Sequence, residues 1–459
     1  MSFTLTCFAD LVAKYDSWDS LRTFLTSDEG GKLRVIEPVA KALGQSQDAN
    51  ADNVIIRYTK DVSNFSLSYV PAFRSVVWNK KTNRPVCVAP VKAHEITEIS
   101  SGCEVRVMDF VDGTMINAWK SNDGDPTSWS ELVSNESSKI ASRSSLGANC
   151  KFYSERSFAD LFDDALTASV ALGQGQGQSQ GQSQSQAQTQ GKSQVTKAFL
   201  DSVLKVGEFA SFVLQHKEHK TVSPIPYNRI YVTYFGKIDE KGVVSMSCTE
   251  MPERLASYLP EVFDANLVLP NPDEGSKTMH TMVRGACGGR GYYWQGLVFQ
   301  DTTTSRRYRL RNPEYTIVRA LRGSESNLME RFLRLRTAGK TKQYLSYFRE
   351  ESAQMWELEQ ALRTRTTDLY TAYIEMNKLK QKGMRDLPYC LRPHVYALHG
   401  LYLKSVKTGA KSIIKDTVIG YVNALAVEDQ LRLLSAKLTV PPVPAPVPVE
   451  AEAEQVPVA

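Results

Sequence analysis

The chain has 459 residues, 42% hydrophobic and 23% charged, with a formal net charge of +5. That length is too great for one small domain and suits two or three, and the apolar share is enough for sizeable cores. No apolar run is long enough to form a membrane-spanning helix. The first residues lack the basic-then-apolar order of a secretory signal. Seven cysteines are dispersed with no CxxC pair, and the odd count fits reduced thiols in an intracellular setting. The six histidines are scattered apart from His216 and His219, so a zinc site is not expected and that pair reads as polar loop residues.

In chain order, residues 1–50 read as an N-terminal segment of helix plus loop. From 51 to about 320, short β-branched or aromatic runs dominate, among them NVIIRYT, RSVVWN, PVCVAPV, EVRVMDFV, TMINAW, SFVLQH, RIYVTYF, YWQGLVFQ and YTIVRAL. So many strands with few helices predict an α+β domain of antiparallel sheets. Within it, SFADLFDDALTASVAL (157–172) has Phe158, Leu161, Phe162 and Leu166 at helical spacing. The next stretch, 173–194, holds ten Gln in 22 residues with mostly Gly and Ser between them. Such a sequence has too little apolar surface for a core and reads as a flexible insert within the domain. After Gly323 the pattern turns helical, with Met355, Leu358, Leu362, Leu369, Met376 and Leu379 on one face and Gly383 as terminator. Residues 324–438 therefore read as an all-α C-terminal domain, and the Pro/Val/Glu run 439–459 as a disordered tail. The insert and the tail look like segments for protein partners.

Charge is uneven: residues 302–349 carry twelve Lys and Arg against three Asp and Glu. A local basic segment is the electrostatic footprint of a phosphate-bearing partner, although a solvated helix face would look the same. Asp112-Gly113, taken alone, reads as a hairpin turn. Trp119 and Trp294 read as core. The Gly-rich GACGGRGYYW (285–294) lacks the Lys-Ser/Thr of a P-loop.

The ordered series is more informative than any one motif. Phe-Val-Asp-Gly-Thr (110–114), Ser-Arg-Ser at 142–144, Asn228-Arg229-Ile230, Gln295-Gly296 and RYRLRNPEYTIVRALRG follow one another. Over roughly 55–323, within a domain set at 51–323, this series resembles the phage-type ATP-dependent RNA ligases of the covalent nucleotidyltransferase superfamily. The helical region is similar to the C-terminal part of members from large DNA viruses. The resemblance implies an RNA-ligase-like nucleotidyltransferase domain of antiparallel sheets followed by the helical domain. In that family a motif lysine attacks the ATP α-phosphate and holds AMP as a phosphoramidate, with metal-positioning glutamates and paired lysines on the phosphates.

Placed on this sequence, the nucleotide-binding positions are Asp112, Gly113, Arg143, Gln295, Arg309 and Arg311, and the nucleophile slot is Phe110. Val213 or Gln215 falls near the slot of a glutamate. Phe has no lone pair, and Gln supplies no charge to a metal. Arginine at the paired-lysine positions keeps a phosphate contact but stays protonated. The expectation is a degenerate ligase-like protein that binds RNA, with ATP beside it, and makes no lysyl-adenylate. RNA contacts are expected along 319–342, from Arg319, Arg322, Arg331 and Arg334. One rival is an active ligase, using ATP and Mg2+, with Lys92 as a displaced nucleophile. Another is a virion-associated structural or interaction protein that reuses the fold. Localisation would be intracellular, the host cytoplasm if viral, or the virion. On this reading Arg309→Ala weakens RNA binding, and unchanged affinity at moderate salt in a binding titration would remove the phosphate role from Arg309.

Overall fold

The computed structural model describes residues 2–38, 51–96, 104–122, 136–173, 189–248, 250–260, 262–268, 290–301, 303–406 and 412–435. The chain forms two compact units, Met1–Arg322 and Gly323–Ala459. Among the described residues no helix is long and apolar enough to cross a membrane.

The first unit is α+β and built on three sheets. The largest runs β1-β12-β11-β10-β8-β9, from β1 (Phe3–Leu5), β8 (Thr114–Asn122), β9 (Glu136–Ser142), β10 (Glu208–Gln215), β11 (Arg229–Ile238) and β12 (Val244–Ser247). A five-stranded sheet runs β13-β7-β14-β15-β6, from β6 (Ala93–Glu95), β7 (Glu104–Asp109), β13 (Val262–Val268), β14 (Gly296–Asp301) and β15 (Arg307–Arg311). A four-stranded sheet runs β2-β3-β4-β5, from β2 (Arg34–Ile36), β3 (Asn53–Arg57), β4 (Val76–Asn79) and β5 (Arg84–Val88). Their ladders are antiparallel except where β15 pairs with β6.

The six-stranded sheet buries both faces, because successive side chains alternate across it. Ile116, Ala118, Phe212, Leu214 and Val232 pack with Phe158, Leu161, Phe162 and Leu166 of α3 (Phe158–Gly173) and Leu200 of α4 (Thr189–Val203). Trp119 and Tyr234 pack into the other core, with Ile56, Val76 and Trp78 of the four-stranded sheet. Phe8 of α1 (Cys7–Lys14) and Leu21 of α2 (Trp18–Thr26) close that core. The first residues, expected as a segment of their own, thus belong to this unit. Phe3 pairs with Met246 and Val35 with Ile56. A strand of three residues is too short for alternation to show in sequence.

YTIVRAL, expected as a strand, is instead part of helix α6 (Pro313–Arg322), which follows the short α5 (Glu253–Ala256). Its β-branched residues suggested a strand, but Tyr315, Val318 and Leu321 are buried at helical spacing while Ile317 stands exposed. Pro313 opens the helix where its missing N–H costs nothing, and Asn312 Oδ1 accepts from the Glu314 amide at 3.0 Å. The strand lies just upstream, in the arginine-rich β15. Of the Gln-rich stretch, 174–188 lies outside the described residues, and α4 begins at Thr189. The tail 439–459 also lies outside them.

The described part of the second unit is all helical, with α7 (Leu328–Thr337), α8 (Thr341–Tyr347), α9 (Ser352–Tyr373), α10 (Arg392–Val406), α11 (Lys415–Ala424) and α12 (Val427–Ser435). Met355, Leu362 and Leu369 of α9 are buried as expected. Leu379 is exposed, because α9 ends in a π-helical turn, Ile374–Lys378, that rotates the stripe away. Arg331 is buried and ion-paired to Glu351 at 3.2 Å, and Arg334 is paired to Glu325 at 2.7 Å.

Gly296 begins β14 with a φ of +132°, and a side chain there would collide with the Leu310 carbonyl on β15. Gly296→Ala is expected to destabilise the first unit by about 2 kcal/mol or more, read from chemical denaturation.

Candidate functional site

Asp112-Gly113 does not turn a hairpin. β7 and β8 belong to different sheets, so this dipeptide carries the chain from one sheet to the other. Gly113 is needed because a Cβ would collide with the Leu214 carbonyl on β10, the strand β8 pairs with. Asp112 fixes the crossing. Its Oδ2 accepts from the backbone amides of Val222 at 3.1 Å and Ser223 at 3.0 Å, and its Oδ1 accepts from the Tyr315 hydroxyl at 2.8 Å. Its carbonyl accepts from Gln215 Nε2 at 2.8 Å. One buried residue therefore ties the crossover to β10, the loop after it and helix α6. Burial, with the Asp112 charge next, raises the Tyr315 phenol far above its ordinary range, so it stays a donor.

Around this anchor is a pocket of about 290 Å³, at the lower end of the range for ligand pockets. Its wall has Arg74, Arg307, Arg311 and Arg319, with Phe110, Phe152, Tyr153 and Tyr234 between them. The Phe110 ring lies 5.9 Å from the Arg307 guanidinium and 5.8 Å from that of Arg311. Arg307 is also 5.7 Å from the Tyr234 ring. Burial, with the Arg307 cation next, pushes Arg74 down to about 9, so it is still charged at neutral pH. Burial and then Arg309 lower Arg311. The Nε atoms of Arg307 and Arg311 are buried without a hydrogen-bond partner. Buried like charges with open donors are stabilised by an anion, and flat rings beside them suit a base.

Of the positions expected to act together, Phe110, Asp112, Gly113, Gln295, Arg311 and Arg319 line this pocket. Arg143 stands outside it, exposed, 5.4 Å from the Tyr58 ring. Arg309 shares a strand face with Arg307 and Arg311, yet its guanidinium turns to Glu95 Oε1, at 2.6 and 2.9 Å. Arg322 is buried, donates to the Lys220 carbonyl at 3.3 Å and covers the Tyr153 ring at 4.5 Å. Arg331 and Arg334 are held in the ion pairs of the helical unit. Lys92 precedes β6, with β15 between it and β14. Its ammonium lies 4.8 Å from the Phe65 ring, and it lines a separate cavity of about 780 Å³. Val213 lines the pocket, and Gln215 holds the Asp112 carbonyl. Trp119 and Trp294 are buried, and the Trp294 indole donates to Asp109 at 2.7 Å.

Sequence reasoning missed Arg74, Arg307, Tyr315 and His219. His219, read as a polar loop residue, is buried in the pocket wall. Its Nδ1 is 2.6 Å from the Phe152 carbonyl, which can only accept, so Nδ1 carries the proton. Nε2 then accepts from Thr114 Oγ1 at 2.7 Å. His216 is buried too, with Nε2 3.6 Å from Asp164.

A protein-held divalent ion does not fit these residues. Both Asp112 oxygens face donors, Asp109 takes the indole, and position 295 is an amide. Among the described residues no group of three or more His, Cys, Asp or Glu could hold a metal.

No family model matches the chain, and no curated protein matches it. Among solved structures it is similar to an archaeal ATP-dependent RNA ligase in two forms. The first is 12% identical, over 78% of this chain and 82% of that one, with a TM-score of 0.34. The second is 13% identical, over 76% and 74%, with a TM-score of 0.32. A protein described as an ATP-dependent DNA ligase from Aquifex aeolicus is 13% identical, over 72% and 76%, with a TM-score of 0.31.

Burial is the main cause lowering His219 from 6.5 to about 4, outweighing the Phe152 carbonyl and Asp112. The unfolded chain then binds a proton that the folded chain refuses. The stability tied to neutral His219 is full above pH 6.5 and is lost as pH falls through about 4. His219→Gln is expected to be less stable than wild type near neutrality but to lose less on acidification to about pH 5, measured as Tm across that range.

Proposed function

We propose that this pocket binds a nucleoside phosphate or the 5′-phosphate end of an RNA, in a ligase-like nucleotidyltransferase that makes no lysyl-adenylate. The carrying observation is the pocket wall: four arginines and, among the described residues, no lysine, with Phe110, the position that the resemblance gives to the nucleophile, beside Arg307 and Arg311. Guanidinium groups hold phosphate oxygens well through paired N–H donors. They stay protonated and do not attack phosphorus. The motif order 110–114, 228–230 and 295–311 supports nucleic acid rather than another anion, because it resembles the RNA ligases. His219 and Tyr315 are neutral and taken up by Thr114, Phe152 and Asp112, so they position the wall.

The displaced-nucleophile reading has less support, since the Lys92 ammonium sits on Phe65 in another cavity. The virion-associated reading rests on the insert and the tail.

The test is the intact mass of the protein after incubation with ATP and Mg2+, with titrations of AMP, ATP and 5′-phosphorylated RNA. The expected outcome is no added AMP, measurable binding, and affinity about tenfold or more lower in Arg311→Ala. An adduct that disappears in Lys92→Ala would restore the active-ligase reading. No nucleotide or RNA binding would end the proposal.

A further inference from the structure

The arginines do not stop at the pocket. Arg74 shares the pocket wall with Arg307, and the residue before it, Phe73, accepts at its carbonyl from the Tyr58 amide at 2.7 Å. The Arg307 and Arg143 cations both act on Arg74, as do the Tyr58 and Tyr234 phenols. Arg143 lies over Tyr58 at 5.4 Å and acts on Arg57, which in turn feels Arg34. Arg34 and Arg57 are direct cross-strand partners on β2 and β3. Like charges placed opposite each other on a sheet destabilise it. Among the described residues no carboxylate forms an ion pair with Arg34, Arg57, Arg74, Arg143 or Arg311. The Nε of Arg57 is buried without a partner, as are those of Arg307 and Arg311. Arg307 is 8% exposed and lines the pocket, so an unpartnered donor of a nearly buried side chain belongs to its wall.

The series therefore runs Arg311, Arg307, Arg74, Arg143, Arg57, Arg34, with Phe110 and Tyr58 between members. A surface that retains like charges in a row, at a cost in stability, is complementary to a row of anions. Aromatic rings between the cations are what stacked bases use in single-strand tracks.

We propose that this series is a track for single-stranded nucleic acid that leaves the pocket along Arg74 and Arg143 and ends at the Arg34–Arg57 pair on the four-stranded sheet. The track rests on the nucleotide-binding reading of the pocket and adds its direction and its occupant.

The experiment compares a 5′-phosphorylated mononucleotide with a 5′-phosphorylated RNA of about twelve nucleotides by competition anisotropy across a salt series. RNA is expected to bind at least about tenfold more tightly than the mononucleotide. In the doubly substituted Arg34→Ser, Arg57→Ser chain, RNA affinity is expected to fall about tenfold. Its salt slope should shrink by about 1.4, two contacts at roughly 0.7 each for a single strand. Mononucleotide affinity should stay within about twofold, and Arg311→Ala should weaken both ligands. The Tm of the double variant should hold or rise, because a like-charge pair is removed, so a weaker RNA complex would not reflect misfolding.

Equal binding of long and short ligands, or an unchanged salt slope in the double variant, would overturn the track and leave the pocket reading intact. Competition by inorganic polyphosphate or polyglutamate as strong as that of RNA of equal charge would overturn nucleic acid as the occupant. Loss of both ligands in wild type would instead overturn the pocket reading.

Discussion

The Asp112 carboxylate is the interaction on which the site depends. Its two oxygens take up two backbone amides and a phenol, and its carbonyl takes up an amide side chain. A buried carboxylate is costly unless its lone pairs are filled, and here they are. The bonds reach the loop after β10 and helix α6, so the distance between two sheets is set at one residue. Removing the carboxylate would leave two amides and a phenol unsatisfied in a closed interior, and the pocket wall would move with them.

The pocket balances two opposed demands. Packing pulls Phe110 toward the core, while Arg307 and Arg311 are held beside it, neither of them ion-paired to a carboxylate among the described residues. Ring quadrupoles ease that arrangement without cancelling it. Tyr234 and Tyr58 do the same further along. The first unit thus carries its charge where aromatic surface can tolerate it, and Arg309, with Glu95 in reach, is drawn out of the pocket. An exposed pair of that kind contributes little, so Arg309 is held loosely.

Local signals are legible in the sequence and nonlocal ones are not. The helix 158–173 was visible because four apolar residues repeat at its period. The strands β3, β4, β8, β10 and β11 were visible because their runs are apolar on both faces. Asp112-Gly113 was visible as a motif, but its work was hidden. A hairpin and a crossover share the same dipeptide, and only pairing with β10 or with β14 tells them apart. β15 was missed because three of its five residues are arginines that lie on one face. Arg74 carries no local mark, since its neighbours come from positions 143 and 307. His219 looked like a loop residue because burial is a property of the folded chain. The arginines at 331 and 334 raise the basic count but are paired to Glu351 and Glu325, and a charge count is blind to pairing.

The cations around Phe110 have one more consequence. An ammonium placed between two fixed guanidinium groups and shielded from water gives up its proton more readily than one in solvent. A lysine at position 110 would therefore tend toward the free amine, the form that attacks phosphorus. The ring at position 110 thus stands in a field that would free an amine for nucleophilic attack, while it offers no lone pair itself.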